Sequence, residues 1–209
     1  MTQNHKLQQF DRSDVMVKSR DNKYRGFFRI DQYQLKHKLF SGGWSPEFSR
    51  EIFERGDAVV VIPYDPVLDK VVLIEQFRAG ALRTNSSPWL LEFIAGMFGE
   101  NESPVDVAIR EAEEEAKLII KPDQIHHVMN FLSSPGGTSE NLFLYIALLD
   151  LSAYHGGAIA GLEEENEDIL SHVVSREQAL TWLNTGKVNN ASTIIGLQWL
   201  ALNYKTLLK

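Results

Sequence analysis

Residues 103–118 constrain this chain more than any other stretch, because they can fold as little except one helix. Ser103 stands where an N-cap belongs, Pro104 suits the first helical position, and Asp106 follows the cap by three residues. The helix is expected over residues 105–116. Val105, Ala108, Ile109, Ala112 and Ala116 recur at helical spacing and form a stripe that must be buried. Another face carries Arg110, Glu111, Glu114 and Glu115. At about 100° per residue, the three carboxylates crowd within about 100° of arc. Like charges one turn apart destabilise an isolated helix by roughly 0.2–0.5 kcal/mol. Two readings follow. The face is a solvated acidic surface, with Arg110 a plain ion-pair partner of Glu114, or it holds a hard divalent cation that prefers oxygen ligands.

The rest of the chain must cover the stripe. Residues 58–62 (Ala-Val-Val-Val-Ile) read as a fully apolar strand, followed by a turn over Pro63, Tyr64, Asp65, Pro66 and Asp69 and a hairpin partner over 71–77. Further strands are expected over 89–94, ending at Ala95 and Gly96, and over 128–132, 142–149 and 172–174. A loop is expected over 155–168. Ser175 caps a helix over 176–184, where Gln178 would complete a capping box, and a last helix covers about 191–207. Upstream, residues 27–39 alternate in strand fashion, Gly42 and Gly43 offer a turn, and 48–53 return. Residues 15–55 therefore read as an antiparallel appendage. A ribbon of two or three strands is not stable alone, so it should pack on the main domain or on a second subunit. The expected class is α+β with a mostly antiparallel centre.

Composition narrows the chemistry. With no cysteine, a disulfide framework, a thiolate metal site and a Cys nucleophile are excluded. The net charge of −7 and the lack of a Lys/Arg-rich block argue against nucleic acid as a partner. No run of eighteen apolar residues is present to span a membrane, and the polar start has no secretory h-region. The expectation is a cytoplasmic protein.

Read from Gly96, the chain runs five residues to Glu102, then seven to Arg110, Glu111, Ala112, Glu114 and Glu115, and ends on Lys117 and Leu118. This resembles the box of the Nudix hydrolases, with eight of its nine specified positions matched in register. Lys117 departs, because the family has glycine there. A residue with a Cβ at a helix-ending left-handed position costs on the order of 1 kcal/mol, so Lys117 is strained or the helix ends by another route. The resemblance implies the Nudix fold, a mixed β-sheet sandwiched between helices, over residues 57–209, with residues 1–56 as the appendage. It makes Glu111 and Glu115 the principal Mg²⁺ ligands, with Mn²⁺ able to substitute, Glu114 assisting and the Ala95 carbonyl a backbone ligand. Arg110 would orient the glutamates, and Glu102 would be a structural partner. The implied chemistry is substitution at phosphorus by water.

Three features resemble the ADP-ribose pyrophosphatase branch of that family. Ser134, Pro135 and Gly136 follow Leu118, with sixteen residues between Leu118 and Pro135. Glu75, Gln76, Phe77 and Arg78 end a strand, and Trp89 to Glu92 lead into Ala95 and Gly96. The N-terminal segment holds Tyr24, Arg25, Gly26, Phe27 and Phe28, and later Arg50 to Arg55. The branch implies cleavage of ADP-ribose to AMP and ribose 5-phosphate by a homodimer that exchanges its appendages. Phe27 would stack on adenine, Arg50 of the partner subunit would cross the base, Arg78 would bind the diphosphate, and Ser134 and Glu140 would contact substrate. Read without the resemblance, Phe27 is core, Arg78 a surface ion pair, and Ser134 part of a plain Pro-Gly turn. In the acidic run from Glu163 to Asp168, Glu165 is the expected base on the attacking water, with Glu167 second and Glu140 in reserve. The rival readings are hydrolysis of another sugar nucleotide, such as GDP-mannose, and a non-catalytic module that senses ADP-ribose.

Overall fold

The computed structural model describes residues 7–83, 87–99 and 101–207. Residues 1–6 and 208–209, which the expected domain ranges include, lie outside these. The chain divides into two compact units, one running to Arg55 and including Ser134–Glu140, the other holding Gly56–Ser133 and the chain from Asn141 onward.

The first unit is a three-stranded antiparallel sheet in the order β1 (Val15–Arg25), β2 (Arg29–His37), β3 (Phe48–Glu54). Alternation of residue type does not reveal β1, which is polar and almost wholly exposed. Backbone pairing to β2 holds it, helped by the Arg20 guanidinium, whose Nε donates to Asp31 at 2.7 Å. The strand after it begins at Arg29, not at Phe27, because the chain turns at Gly26, whose N–H donates to the Phe28 carbonyl at 2.8 Å. Phe27 therefore sits at a hairpin tip, 89% exposed, edge-on to Phe28.

The second unit is a mixed sheet with helices on both faces. Its elements are β4 (Ala58–Asp65), β5 (Lys70–Phe77), β6 (Trp89–Glu92), β7 (Ile94–Met97), α1 (Pro104–Ala116), β8 (Ile125–Leu132), β9 (Asn141–Leu148), β10 (Ile159–Ala160), β11 (Ile169–Ser175), α2 (Arg176–Asn184) and α3 (Ala191–Asn203). The strand order is β10-β11-β5-β4-β9-β8, with β4 and β9 parallel and the other neighbours antiparallel. All of β4 is buried, as its apolar run requires. Its residues alternate between two cores: Val59 and Val61 pack with Ala108, Ala112 and Ala116 of α1, while Val60 and Ile62 pack with Ala179 of α2 and Leu197 and Leu200 of α3. Each fully buried Val, Ile or Leu contributes about 1.5–3 kcal/mol, so this two-sided burial makes β4 and β5 the centre of the unit.

Several local expectations shift. Pro63 lies inside β4 instead of in the turn. It is tolerated because β4 pairs with β7 only over residues 58–61 and with β5 only at Tyr64 and Asp65, so no antiparallel neighbour needs the missing N–H. The strand expected over 89–94 breaks at Phe93: β6 pairs with β5 and β7 with β4, filling the gap where β4 and β5 diverge. The Phe93 N–H goes to Thr193 Oγ1 at 3.0 Å. The loop 155–168 carries the short β10 and a 3₁₀ turn over Glu163–Glu165. Ser175 accepts from the Gln178 N–H at 3.1 Å, but only this half of a capping box forms. The last α-helix stops at Asn203 and continues as a 3₁₀ turn. Among the described residues no helix is long and apolar enough to cross a membrane.

Candidate active site

Helix α1 starts as its sequence dictates. Ser103 accepts from the Asp106 N–H, and the Asp106 carboxylate returns to the Ser103 N–H at 3.2 Å. The helix ends on Lys117 in the left-handed conformation, φ 55° and ψ 31°. Its N–H donates to the Glu113 carbonyl at 3.0 Å and the Leu118 N–H to Ala112 at 2.9 Å, the closure a glycine would normally make. Tyr154 Oη donates to the Ala116 carbonyl at 2.6 Å and satisfies another free end. The buried face includes Val107 beside Ala108, Ala112 and Ala116, while Val105 and Ile109 are only partly buried.

Arg110 organises the acidic face. Its Nε and Nη2 donate to the two Glu102 oxygens at 2.8 and 3.0 Å, and Nη2 also reaches the Met97 carbonyl at 3.2 Å. Nη1 donates to Glu111 at 2.6 Å and to Glu114 at 3.0 Å. The bidentate bond to Glu102 raises the Arg110 pKa, and the same bond holds the Glu102 carboxyl below its usual range. Glu102 also accepts from the Gly99 N–H at 2.7 Å, tying the preceding loop to the helix.

Glu115 is 2% exposed, although it is charged in ordinary solution. Its Oε2 accepts from the Ala95 N–H at 3.0 Å and its Oε1 faces Gln76 Nε2 at 3.5 Å. Burial pushes its carboxyl well above the usual range, against the Ala95 N–H, and the Glu111 charge adds to the rise. Burial raises Glu111 as well, opposed by Arg110. The Glu111 carboxylate fills the space beside Gly96 that any side chain there would need. Along an antiparallel strand a residue's N–H and C=O leave on one edge, so the Ala95 carbonyl faces the same way as the N–H held by Glu115. Three carboxylates and a carbonyl make an all-oxygen donor set suited to a hard divalent cation. As they stand, Arg110 shares two of the carboxylates, and among the described residues no three acids or imidazoles converge as a finished cage.

Gln76 and Glu92 belong to the same cluster, and no role for either is evident from the sequence. Gln76 is 4% and Glu92 9% exposed. Gln76 Nε2 donates to Glu92 Oε2 at 3.3 Å, and Arg78 Nε donates to that same oxygen at 2.8 Å. Burial raises the Glu92 carboxyl, against Arg78. The available signal was Gln76 following Val72 and Ile74 at two-residue spacing on one face of β5, and Glu92 ending the otherwise apolar β6.

The acidic loop is anchored at its base. The Gly161 N–H donates to the Glu114 carbonyl at 3.1 Å, and Gly161 has φ +101° with Glu167 Cβ 2.6 Å from where a side-chain carbon would stand, so only glycine fits. Glu165 lies exposed in the 3₁₀ turn. Glu167, which accepts from the Leu162 N–H at 3.2 Å, is the loop acid whose charge reaches Glu111 and Glu115. The remaining expected residues belong to the first unit. Arg50 lies over the Phe48 ring, Ser134 closes a turn with its carbonyl, and Glu140 is buried against Arg55 Nε at 3.2 Å.

The model of the NUDIX domain matches residues 54–194. An ADP-ribose pyrophosphatase of Escherichia coli (strain K12) is 52% identical over 198 residues, covering 95% of this chain and 93% of the relative. An ADP-ribose pyrophosphatase of Haemophilus influenzae is 46% identical over 204 residues, covering 96% and 92%. A GDP-mannose pyrophosphatase of Yersinia pestis is 30% identical over 183 residues, covering 86% and 88%. A crystal structure of an ADP compounds hydrolase superposes with a TM-score of 0.68 at 18% identity, covering 93% of this chain and 96% of that one, a likeness of fold.

Proposed function

The chain belongs to the NUDIX domain family, and from that premise we propose that it hydrolyses ADP-ribose to AMP and ribose 5-phosphate with Mg²⁺. The observation that carries the reading is the set of oxygen donors offered by Glu111, Glu114, the buried Glu115 and the Ala95 carbonyl, with Arg78 linked to Glu115 through Glu92 and Gln76. Identity of 52% and 46% to ADP-ribose pyrophosphatases, against 30% to a GDP-mannose pyrophosphatase, supports ADP-ribose over the guanine sugar.

Glu111 and Glu115, assisted by Glu114 and the Ala95 carbonyl, would hold Mg²⁺, and Mn²⁺ fits the same donors. When bound, the cation neutralises diphosphate charge and makes phosphorus a better electrophile. Arg110 keeps Glu111 and Glu114 from splaying apart while binding no substrate itself. The Nη groups of Arg78 take diphosphate oxygens. Glu165 removes a proton from the attacking water as the loop closes, the oxygen bonds to phosphorus, and the bridging P–O bond breaks. One phosphate leaves on AMP and the other on ribose 5-phosphate. Phe27 offers an exposed ring face to adenine, and Arg50 of the partner subunit closes over the base. Ser134 and Glu140 complete the substrate contacts. Exchange of the appendage that carries the thin, largely exposed sheet β1–β3 between copies makes the protein a homodimer, acting in the cytoplasm.

The test is product analysis on purified protein with ADP-ribose, with and without Mg²⁺, beside GDP-mannose at equal concentration. AMP formed only with the metal is the expected result. Preference for GDP-mannose overturns the substrate, and tight ADP-ribose binding without cleavage overturns the reaction. Sedimentation of the same protein reports the dimer.

A further inference from the structure

Strand parity accounts for the position of Gln76. Val72 and Ile74 of β5 pack in the core on the α1 side, and the next residue on that face is Gln76. Another apolar side chain would be expected there, yet an amide is buried instead. Across the strand pair, Ile74 stands opposite Glu92, which puts Glu92 diagonally beside Gln76 on one face. The Gln76 amide nitrogen has two hydrogens and two carboxylates in reach, Glu92 Oε2 at 3.3 Å and Glu115 Oε1 at 3.5 Å. One buried side chain thus ties an α1 glutamate to a glutamate of β6.

Glu92 in turn sets the direction of Arg78. It takes the Nε–H at 2.8 Å, the inner edge of the guanidinium. Among the described residues no hydrogen bond engages the two Nη groups, so the outer edge is presented for a bidentate bond to phosphate oxygens. The Arg78 N–H donates to the Pro88 carbonyl at 2.8 Å, so backbone and side chain are fixed from opposite ends. A free arginine would lose several rotamers on binding; one already held by a buried carboxylate loses fewer. Burying the Glu92 carboxylate is costly for a site whose only gain is stability, because an apolar residue of the same shape would stabilise the strand pair as well or better.

We propose that Glu92 and Gln76 are positioning residues that hold the diphosphate-binding Arg78 in register with Glu115, so that the substrate and the cation ligands are presented as one unit. The inference rests on the reading of Arg78 as a diphosphate ligand.

Equilibrium binding separates it from the reaction. Calorimetry of ADP-ribose with chelator present, so that no divalent cation contributes, should show roughly ten-fold weaker binding for Glu92→Gln than for the parent. In an Arg78→Lys background, which has no guanidinium edge to aim, the same change should cost less than about two-fold. Thermal unfolding monitored alongside confirms that both variants are folded, and Glu92→Asp should recover part of the loss. Independently, Mn²⁺ titration followed by electron paramagnetic resonance should be unaltered in Glu92→Gln and about five-fold weaker in Gln76→Met, which keeps the shape but lacks the N–H groups. Equal losses from Glu92→Gln in both backgrounds, or unchanged Mn²⁺ affinity in Gln76→Met, would overturn the proposal while leaving the proposed hydrolysis of ADP-ribose standing. A parent that binds ADP-ribose with this coupling but does not cleave it would instead overturn the proposed reaction. A parent that does not bind ADP-ribose overturns both.

Discussion

The Glu111 carboxylate lies against the Cα of Gly96, in space that any side-chain carbon at that position would claim. The two residues come from different elements, β7 and α1, and the strand can approach the helix this closely only because residue 96 has no side chain. Gly96→Ala should therefore push Glu111 aside by on the order of 1 Å and reduce turnover of ADP-ribose by ~10²-fold. Steady-state kinetics, with circular dichroism to confirm the fold, check this. Near-normal turnover would show that the position of Glu111 does not matter to the chemistry.

Lys117 carries a strain that the box glycine would avoid, with φ at 55°. Lys117→Gly should stabilise the protein by ~1 kcal/mol, a rise of roughly 2–4 °C in melting temperature, with turnover unchanged. Lys117→Ala should give no comparable gain, since its Cβ meets the same backbone penalty. Equal melting temperatures for all three proteins would mean that the left-handed turn is relaxed by other contacts.

The pairing of Glu102 with Arg110 predicts a pH dependence of stability. Folding lowers the Glu102 pKa, chiefly through its bond to Arg110. A depressed carboxyl contributes stability above its unfolded pKa, about 4.3, and that contribution is lost as pH falls through the folded value. Glu102→Gln should thus melt lower than the parent near neutrality, and the gap should close on acidification below the folded pKa. Melting curves at a series of pH values read this directly; a gap that persists unchanged into acid would assign the loss to packing.

The loop acids can be ranked by separating turnover from metal binding. Glu165→Gln should lower turnover by ~10²–10⁴-fold while the Mg²⁺ concentration for half-activation stays near the parental value, as loss of a general base requires. Glu167 stands closer to Glu111 and Glu115 in charge terms, so Glu167→Gln should mainly shift half-activation by Mg²⁺. The reverse pattern would move the base to Glu167.

Much of the fold was legible because its signals are local. The cap at Ser103, the periodicity of Ala108, Ala112 and Ala116, and the unbroken apolar run of β4 each depend on residues a few positions apart. The spacing from Gly96 through Glu102 to Glu115 carried the family for the same reason, since the end of β7, the segment after it and α1 hold the whole motif within twenty-odd consecutive residues. β1 stayed hidden because its stability comes from backbone pairing and ion pairs to β2, which leave no alternation in the side chains. The split of β6 from β7 depends on where β4 and β5 diverge, a property of the sheet and not of residues 89–97.

The sequence by itself determined the helix, its caps, the acidic face and the family, because short-range sterics and periodicity decide those. Only the tertiary structure decided that Glu115 is buried and that Gln76 and Glu92 join Arg78 to Glu115. Gln76 and Glu115 are 39 positions apart. Their meeting depends on the order of strands beneath one helix, and desolvation, the largest influence on the Glu92, Glu111 and Glu115 carboxyls, has no value until that packing exists.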